Sequence, residues 1–418
     1  MDFYFPDSQD QIEPTYDFIA EERSPFRVRQ RDDHYAHEIH RKPVYSGILV
    51  SKSIIDGVGG AGRYTAAQRN RLYRLGVREF FRLEGRAGRS LKSMGDCGAF
   101  SYAAQPAPPF TPDDVIDFYE GCGFDQGIAI DHVIFGYRAE ADTDGGAEEA
   151  WIERQALNVK LAEAFFERWR ARGCQFEPVG VAHGWSPRSY SDSVARLQDL
   201  GYRRIALGGM VPLKTLQIIE CLEAIDEVRD VETSFHLLGV TRTENVTSFA
   251  SYGVASFDST SPFRQAFKDD KDNYYWKGRT YTALRIPQVE GNIKLAARIR
   301  AGQIDQREAN RLEQRALQAV RAYDQDRASI FSALSALRAY DELQGRKDLT
   351  ERYRETLEDR PWKRCRCGVC TSAGVEVILF RGTERNKRRG FHNLFVFNQR
   401  LQGHLGPPRR RASPVASA

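Results

Sequence analysis

The stretch EPVGVAHGWSPRSYSDSVARLQDLGYRRIALGGMVPLKTLQIIECLEAIDEV, residues 177–228, reads as two β–α units in succession. EPVGVAH (177–183) and RRIALGG (203–209) are short apolar runs that end in small residues, as expected of strands buried on both faces. Ser186-Pro187 supplies a cap followed by proline in the first turn of a helix. In the segment 212–228, Leu216, Ile219, Leu222 and Ile225 recur at helical spacing and predict one apolar face.

The same alternation continues outward in both directions. VYSGILV (44–50), VREFFRL (77–83), LKSMGD (91–96), GIAIDHVI (127–134), SFHLLGV (234–240) and GVASFDS (253–259) complete a set of eight candidate strands. Thr111-Pro112-Asp113-Asp114 opens a further helix with a cap and a proline. Alternating β and α units imply a parallel sheet covered on both faces. Eight of them predict an α/β fold closed into a (β/α)8 barrel of the TIM type over residues 45–263. An open doubly wound sheet is the alternative, but no GxGxxG follows a strand to support a dinucleotide fold.

The pattern breaks after Asp258. Residues 264–288 form a polar, aromatic excursion, and 289–358 are charged and helical, with ALQAVRAYDQ and SALSALRAYDEL at their centre. Residues 264–360 are therefore expected to be a mostly helical insertion without the sustained heptads of a coiled coil. A zinc-binding subdomain is expected over 361–403 and a basic disordered tail over 404–418, with 1–44 as an N-terminal extension.

Bulk properties bound the class. Of 418 residues, 41% are hydrophobic, enough for a packed core. No run of 18 apolar residues exists, so no membrane-spanning helix is expected. The start, MDFYFPDSQDQIEP, is acidic and lacks the order of a secretion signal, which predicts a cytoplasmic protein. Seven cysteines, four scattered and three clustered, do not make a disulfide framework. Net charge is +4, but residues 361–418 hold twelve Lys or Arg against two Glu. That basic end predicts a polyanionic partner.

The cluster is Cys365-x-Cys367-x-x-Cys370, followed by His392 in GFHN. Three thiolates and one imidazole satisfy tetrahedral zinc, and four protein ligands would make one structural ion per chain. A second histidine series, His34, His37 and His40, recurs every third residue but has no companion ligands and is read as ordinary polar surface.

Three aspartates end predicted strands: Asp96 in SMGDCGAF, Asp131 in AIDHVIFG and Asp258 in ASFDSTSP. Barrel active sites assemble at that carboxyl face. Gly98, Gly184, Gly208 and Gly209 crowd the same ends, where a flat ligand can approach the backbone. Singly, each aspartate suits a helix cap or turn; together they suggest a site. Exchanging a base on a sugar needs a nucleophile at the anomeric carbon and a proton source at the leaving base, which paired carboxylates provide. A third carboxylate can accept from the amide and amine edge of a guanine.

The CxCxxC…H motif, the D-x-G-x-F segment at 96–100, the G-x-x-x-G strand end, the Gly208-Gly209 pair, the LGV strand and the FDxxxP segment together resemble the tRNA-guanine transglycosylase superfamily. The similarity is greatest to its DNA-modifying branch, which places 7-deazaguanines in DNA. It covers about residues 45–400, interrupted by the helical insertion. The resemblance implies Asp258 as the nucleophile, Asp96 as general acid and base, and Asp131 as the reader of the guanine edge. It also implies a backbone N–H from Gly209 to the base carbonyl and a ring sandwiched by Phe100 and Leu238. Gly208, Gly209 and Met210 fall in the expected pocket wall, and Arg264 at a phosphate contact. The RNKRRG run, with Arg385, Lys387, Arg388 and Arg389, is expected to be a zinc-braced basic loop facing DNA.

His183 stands where the tRNA enzymes carry glutamine, and Phe100 where tyrosine is usual. The stretch 83–91 is too short for a barrel helix, and 21 residues separate Cys370 from His392. These departures leave the reaction class standing and favour DNA over tRNA. The expected partners are DNA and the free base 7-cyano-7-deazaguanine, with a flipped target nucleotide and helper proteins to open the duplex. The helical insertion is expected to clamp DNA during flipping. The alternatives are tRNA as acceptor, or a non-catalytic zinc-stabilised partner subunit; the retention of both Asp96 and Asp258 argues against the latter.

Overall fold

The computed structural model describes residues 1–7, 9–60 and 64–405. Most of the expected basic tail, residues 406–418, lies outside the described residues. The chain divides into two compact units.

The first unit takes, among the described residues, those of 1–9, 45–260 and 398–405. Its eight strands are β1 (Asp2–Pro6), β2 (Gly47–Ser51), β3 (Lys92–Asp96), β4 (Gln126–Ile128), β5 (Glu177–Ala182), β6 (Arg204–Leu207), β7 (Ser234–Leu237) and β8 (Val254–Asp258). All neighbours pair in parallel, and β1 closes the barrel on β8 with Tyr4 opposite Asp258. Helices α1 (Ala66–Phe80), α2 (Pro112–Cys122), α3 (Glu149–Arg172), α4 (Pro187–Leu200), α5 (Thr215–Asp226) and α6 (Val246–Ser251) accompany the strands.

The barrel was expected, but one strand was misassigned. VREFFRL is the end of α1, not a strand. Thr65 and Gln68 form a reciprocal capping box at its start, and Leu72, Val77 and Phe80 bury one face. Gly76, at φ 77° and ψ 169°, bends the helix just before the β-branched and aromatic run that mimics a strand. The short 83–91 segment is thus part of the turn between α1 and β3, and α1 is the helix that joins β2 to β3. The true first strand is DFYFP, inside the stretch read as an N-terminal extension.

The barrel interior is filled by Tyr4, Leu49, Met94, Ile128, Val179, Val181 and Ala206, with Leu238 packed over them. Burying each large side chain contributes roughly 1.5–3 kcal/mol. The Tyr4 hydroxyl donates to Gln126 Oε1 at 2.8 Å, so this deep polar atom is satisfied. A Cβ at Gly47 would lie 2.5 Å from the Tyr4 ring, which is why the facing position has no side chain.

The second unit takes residues 10–44 and 261–397. It opens with α7 (Ser261–Lys268) and the antiparallel pair β9 (Tyr274–Trp276) and β10 (Arg279–Tyr281). Strand β11 (Leu284–Arg285) pairs in parallel with β12 (Leu379–Phe380). Between them run α8 (Ile293–Arg300), α9 (Gln306–Asp324), α10 (Ile330–Gln344) and α11 (Thr350–Asp359). A last helix, α12 (Gly382–Leu405), follows. His37 and His40 are buried in this unit rather than lying on a polar surface. His40 stacks on Phe395 with ring centroids 5.1 Å apart. Among the described residues no helix is long and apolar enough to cross a membrane.

Candidate active site

A cavity of about 290 Å³ opens at the carboxyl end of the barrel strands. Asp96, Asp131 and Asp258 all line it, carried by β3, the residues after β4, and β8. Parallel strands pointing one way bring chain ends 162 residues apart to one rim, which is how the fold assembles the site.

Asp131 is held on both sides. Its Oδ2 lies 2.7 Å from His183 Nε2, and because a carboxylate only accepts, Nε2 carries the proton. Its Oδ1 accepts from the Cys97 thiol at 3.1 Å. Burial and the neighbouring Asp131 push that thiol well up, so it stays a donor. The Tyr102 hydroxyl donates to Cys97 Sγ and to the Asp131 carbonyl, each at 3.0 Å. With Nε2 engaged, His183 Nδ1 is buried and makes no hydrogen bond among the described residues.

Asp258 Oδ1 accepts from the Gly239 backbone N–H at 2.8 Å and from His236 Nε2 at 3.2 Å. His236 Nδ1 in turn accepts from the Ser256 hydroxyl at 2.7 Å, and Arg204 donates to that hydroxyl oxygen at 2.7 Å. A relay of four side chains thus runs up the barrel to Asp258.

Asp96 differs from both. Burial raises its carboxyl to about 7, helped by the charges of Asp131 and Asp258 and opposed by the backbone N–H groups of Gly98 and Cys97. Its side chain is partly exposed to the cavity. A carboxyl at that value both gives and takes a proton near neutrality.

The walls suit a flat ring. Phe100 and Leu238 line the cavity, with Gly208 and Gly209 beside them. Gly209 sits at φ 74°, and a Cβ there would meet the Ile134 carbonyl at 2.4 Å. One expectation changes here. Met210 is fully buried and does not line the cavity; Val211 and Pro212 do. Phe135 and Asp7, like Val211 and Pro212, join the wall without having been foreseen. Phe135, 44% exposed, packs edge-on against Phe100, 78% exposed. Asp7 follows β1 and accepts from the Tyr64 hydroxyl at 2.5 Å. Phe135 follows the Asp131 strand end in VIFG, a signal available in the sequence, whereas Asp7 was hidden by the missed first strand.

In the second unit, Cys365, Cys367, Cys370 and His392 are all buried, with their ligand atoms within 4.8 Å of one another. His392 Nδ1 lies 3.6, 3.5 and 3.3 Å from the three sulfurs in that order. His392 Nε2 faces the Tyr275 carbonyl at 2.7 Å and must donate to it, leaving the Nδ1 lone pair toward the sulfurs. The Tyr274 ring stacks on His392 at 3.9 Å, and the Cys370 N–H points at Cys367 Sγ at 3.3 Å. This donor set fits a metal ion.

The RNKRRG run is neither a loop nor a phosphate-facing surface. It lies in α12, and Arg385, Arg388 and Arg389 are 1%, 4% and 0% exposed. Arg385 pairs with Glu21 at 2.6 Å and Glu376 at 2.7 Å, and Arg388 with Glu384 at 2.6 Å. Arg389 donates to the backbone carbonyls of Ala266 and Leu379. Lys387 is partly exposed and reaches the Gln11 carbonyl at 3.3 Å. Arg264, by contrast, is exposed on α7 and makes no ion pair among the described residues.

No family model matches the chain. It is 46% identical over 409 residues to a DNA-guanine transglycosylase of Salmonella montevideo, across 96% of this chain and 97% of that protein. Identity at that level over nearly the whole length, together with a closed eight-stranded barrel and three carboxylates at its rim, places the chain in the DNA-guanine transglycosylase family, a DNA-modifying branch of the guanine transglycosylases.

Proposed function

We propose that this protein is a pentosyltransferase that exchanges guanine in DNA for 7-cyano-7-deazaguanine. The observation that carries the reading is the convergence of Asp96, Asp131 and Asp258 on one cavity whose walls fit a planar ring. An Asp258 oxygen attacks the anomeric carbon and the bond from that carbon to the guanine nitrogen breaks. The departing nitrogen keeps the electron pair and takes the Asp96 proton. The ring N–H of the incoming base then returns a proton to Asp96. Its nitrogen attacks the same carbon and displaces Asp258. Protons balance over the cycle, and no water is consumed.

Asp131, fixed by His183 and Cys97, accepts from the amide and amine edge of the base. His183 lines the cavity and serves the base through the Asp131 carboxylate that it orients. Phe100 and Leu238 hold the ring, and the Gly209 N–H serves the base carbonyl. Arg264 is the phosphate contact this reading retains. The metal centre takes zinc, the ion that three thiolates and an imidazole favour, and zinc would brace the fold there.

The test supplies labelled guanine DNA or tRNA together with the free deazaguanine. Release from DNA that stops in Asp258→Asn supports the reading. Release from tRNA alone overturns the DNA assignment, and release from neither overturns self-sufficient catalysis.

A further inference from the structure

The second unit contains a larger cavity, about 620 Å³, with no part in the chemistry above. It lies among α8, the end of α10, the following turn and α11. Six cations line it: Lys271, Arg285, Lys294, Arg298, Arg346 and Lys347. Only two carboxylates, Asp270 and Asp341, oppose them. Arg285 is paired with Asp270 at 2.5 Å, and Arg298 donates to the Gln344 carbonyl at 2.8 Å. Lys271, Lys294, Arg346 and Lys347 make no ion pair among the described residues.

The lining is also unsatisfied. Arg346 Nη1 and Gln344 Oε1 are buried atoms without a hydrogen bond among the described residues, while the Tyr353 hydroxyl donates to the Asp341 carboxylate. Asp341 and Tyr353 are only 6% and 2% exposed. Leaving buried polar atoms unpaired costs about 1–3 kcal/mol each, a cost that a ligand or ordered water bound beside these two atoms would offset. Burial and the neighbouring Arg285 also hold the Arg346 guanidinium below its ordinary value, against the opposing charge of Asp341.

We infer that this cavity is a second ligand site, which takes a phosphate-bearing molecule with more than one negative charge. Arg346 supplies a planar fork for two phosphate oxygens, and the lysines add point charges around it. Asp341, Gln344 and Tyr353 add polar lining for the part of such a ligand beside its phosphate, as in a nucleotide. The chemistry is shared by a free nucleotide and by the backbone of a DNA strand. The inference does not depend on the base-exchange reading.

Calorimetry on the full chain separates the sources with three probes: pyrophosphate, a nucleoside triphosphate and a short single strand without guanine or terminal phosphate. Binding of the first two assigns a free phosphorylated ligand; binding of the strand alone assigns DNA. In either case Arg346→Gln and Lys294→Gln each weaken the bound probe about tenfold or more, whereas Asp258→Asn binds as the parent does. Lys294 is exposed, so its variant folds even if the Arg346 variant does not. Dissociation constants weaker than about 1 mM for all three probes overturn the inference. So do unchanged affinities in the Lys294 variant.

Discussion

His236 Nε2 and the Gly239 N–H converge on a single oxygen of Asp258, Oδ1, at 3.2 and 2.8 Å. Among the described residues Oδ2 accepts nothing, so it is the oxygen free to attack. The arrangement orients the carboxylate without tying up its reactive atom. His236 is itself oriented by Ser256, whose hydroxyl Arg204 anchors from below.

Removing the imidazole donor while keeping a ring tests this relay. His236→Phe should lower kcat for exchange about 10- to 100-fold, the worth of one hydrogen bond to a charged group. KM for the incoming base should stay within about twofold, because His236 touches Asp258 and not the base. A matching rise in KM would assign His236 to base binding instead.

Asp96 predicts the pH dependence. With its carboxyl raised to about 7, it is protonated below that pH and ionised above it. The exchange rate should show an apparent pKa near 7 that disappears, with most of the activity, in Asp96→Asn. The sign for stability is opposite to that of a salt-bridged acid. The folded state holds the proton more tightly than the unfolded chain, so stability is lost as pH rises from the ordinary carboxylate value through 7. Asp96→Asn should therefore be more stable than the parent at pH 8, by up to about 4 kcal/mol, and equal to it near pH 3. Urea melts at the two values read this directly.

What the sequence disclosed follows from how local each signal is. Strands β2 to β8 are visible because a buried parallel strand is a continuous apolar run. DFYFP was missed because five residues between a terminus and an acidic, proline-bearing segment carry no period. VREFFRL was misread because Gly76 interrupts the helical period just before it. The cysteine cluster and the three strand-end aspartates are local patterns and were legible. The fate of RNKRRG was not, because the acids that bury it, Glu21 and Glu376, lie elsewhere in the chain. Likewise Met210 follows two wall-lining glycines, yet its side chain turns into the core.

Arg389 is therefore predicted to be structural. It is fully buried, its donors meet backbone carbonyls and Asn386 Oδ1, and burial lowers it to about 9. Arg389→Met strands those carbonyls and should cost about 3 kcal/mol in denaturant melts. DNA affinity of the folded fraction should be unchanged; a selective loss of DNA binding would return this residue to the interface.

The metal centre predicts an ordered failure. A zinc-to-chain ratio near one, measured by atomic emission, should fall toward zero in Cys367→Ser or after strong chelation. The second unit should then melt at lower temperature, since its four ligands come from the chain before α12 and from α12 itself. If the metal is lost and the melting curve does not move, the ion has no bracing role.

Gly208→Ala tests how Asp131 is aimed. A Cβ there would lie 2.2 Å from His183 Cε1 and 2.6 Å from Nε2, the atom that donates to Asp131. The imidazole cannot yield without leaving the carboxylate, because Gln155 holds the His183 backbone carbonyl from the other side at 2.9 Å. The Asp131 oxygen would then lose its fixed direction while the nucleophile, on β8, keeps its own contacts. The variant should raise KM for the free base about tenfold and change kcat far less, which is the opposite split from His236→Phe. Both variants falling by the same factor in kcat alone would mean that the two carboxylates are not separately aimed and that base recognition lies elsewhere in the cavity.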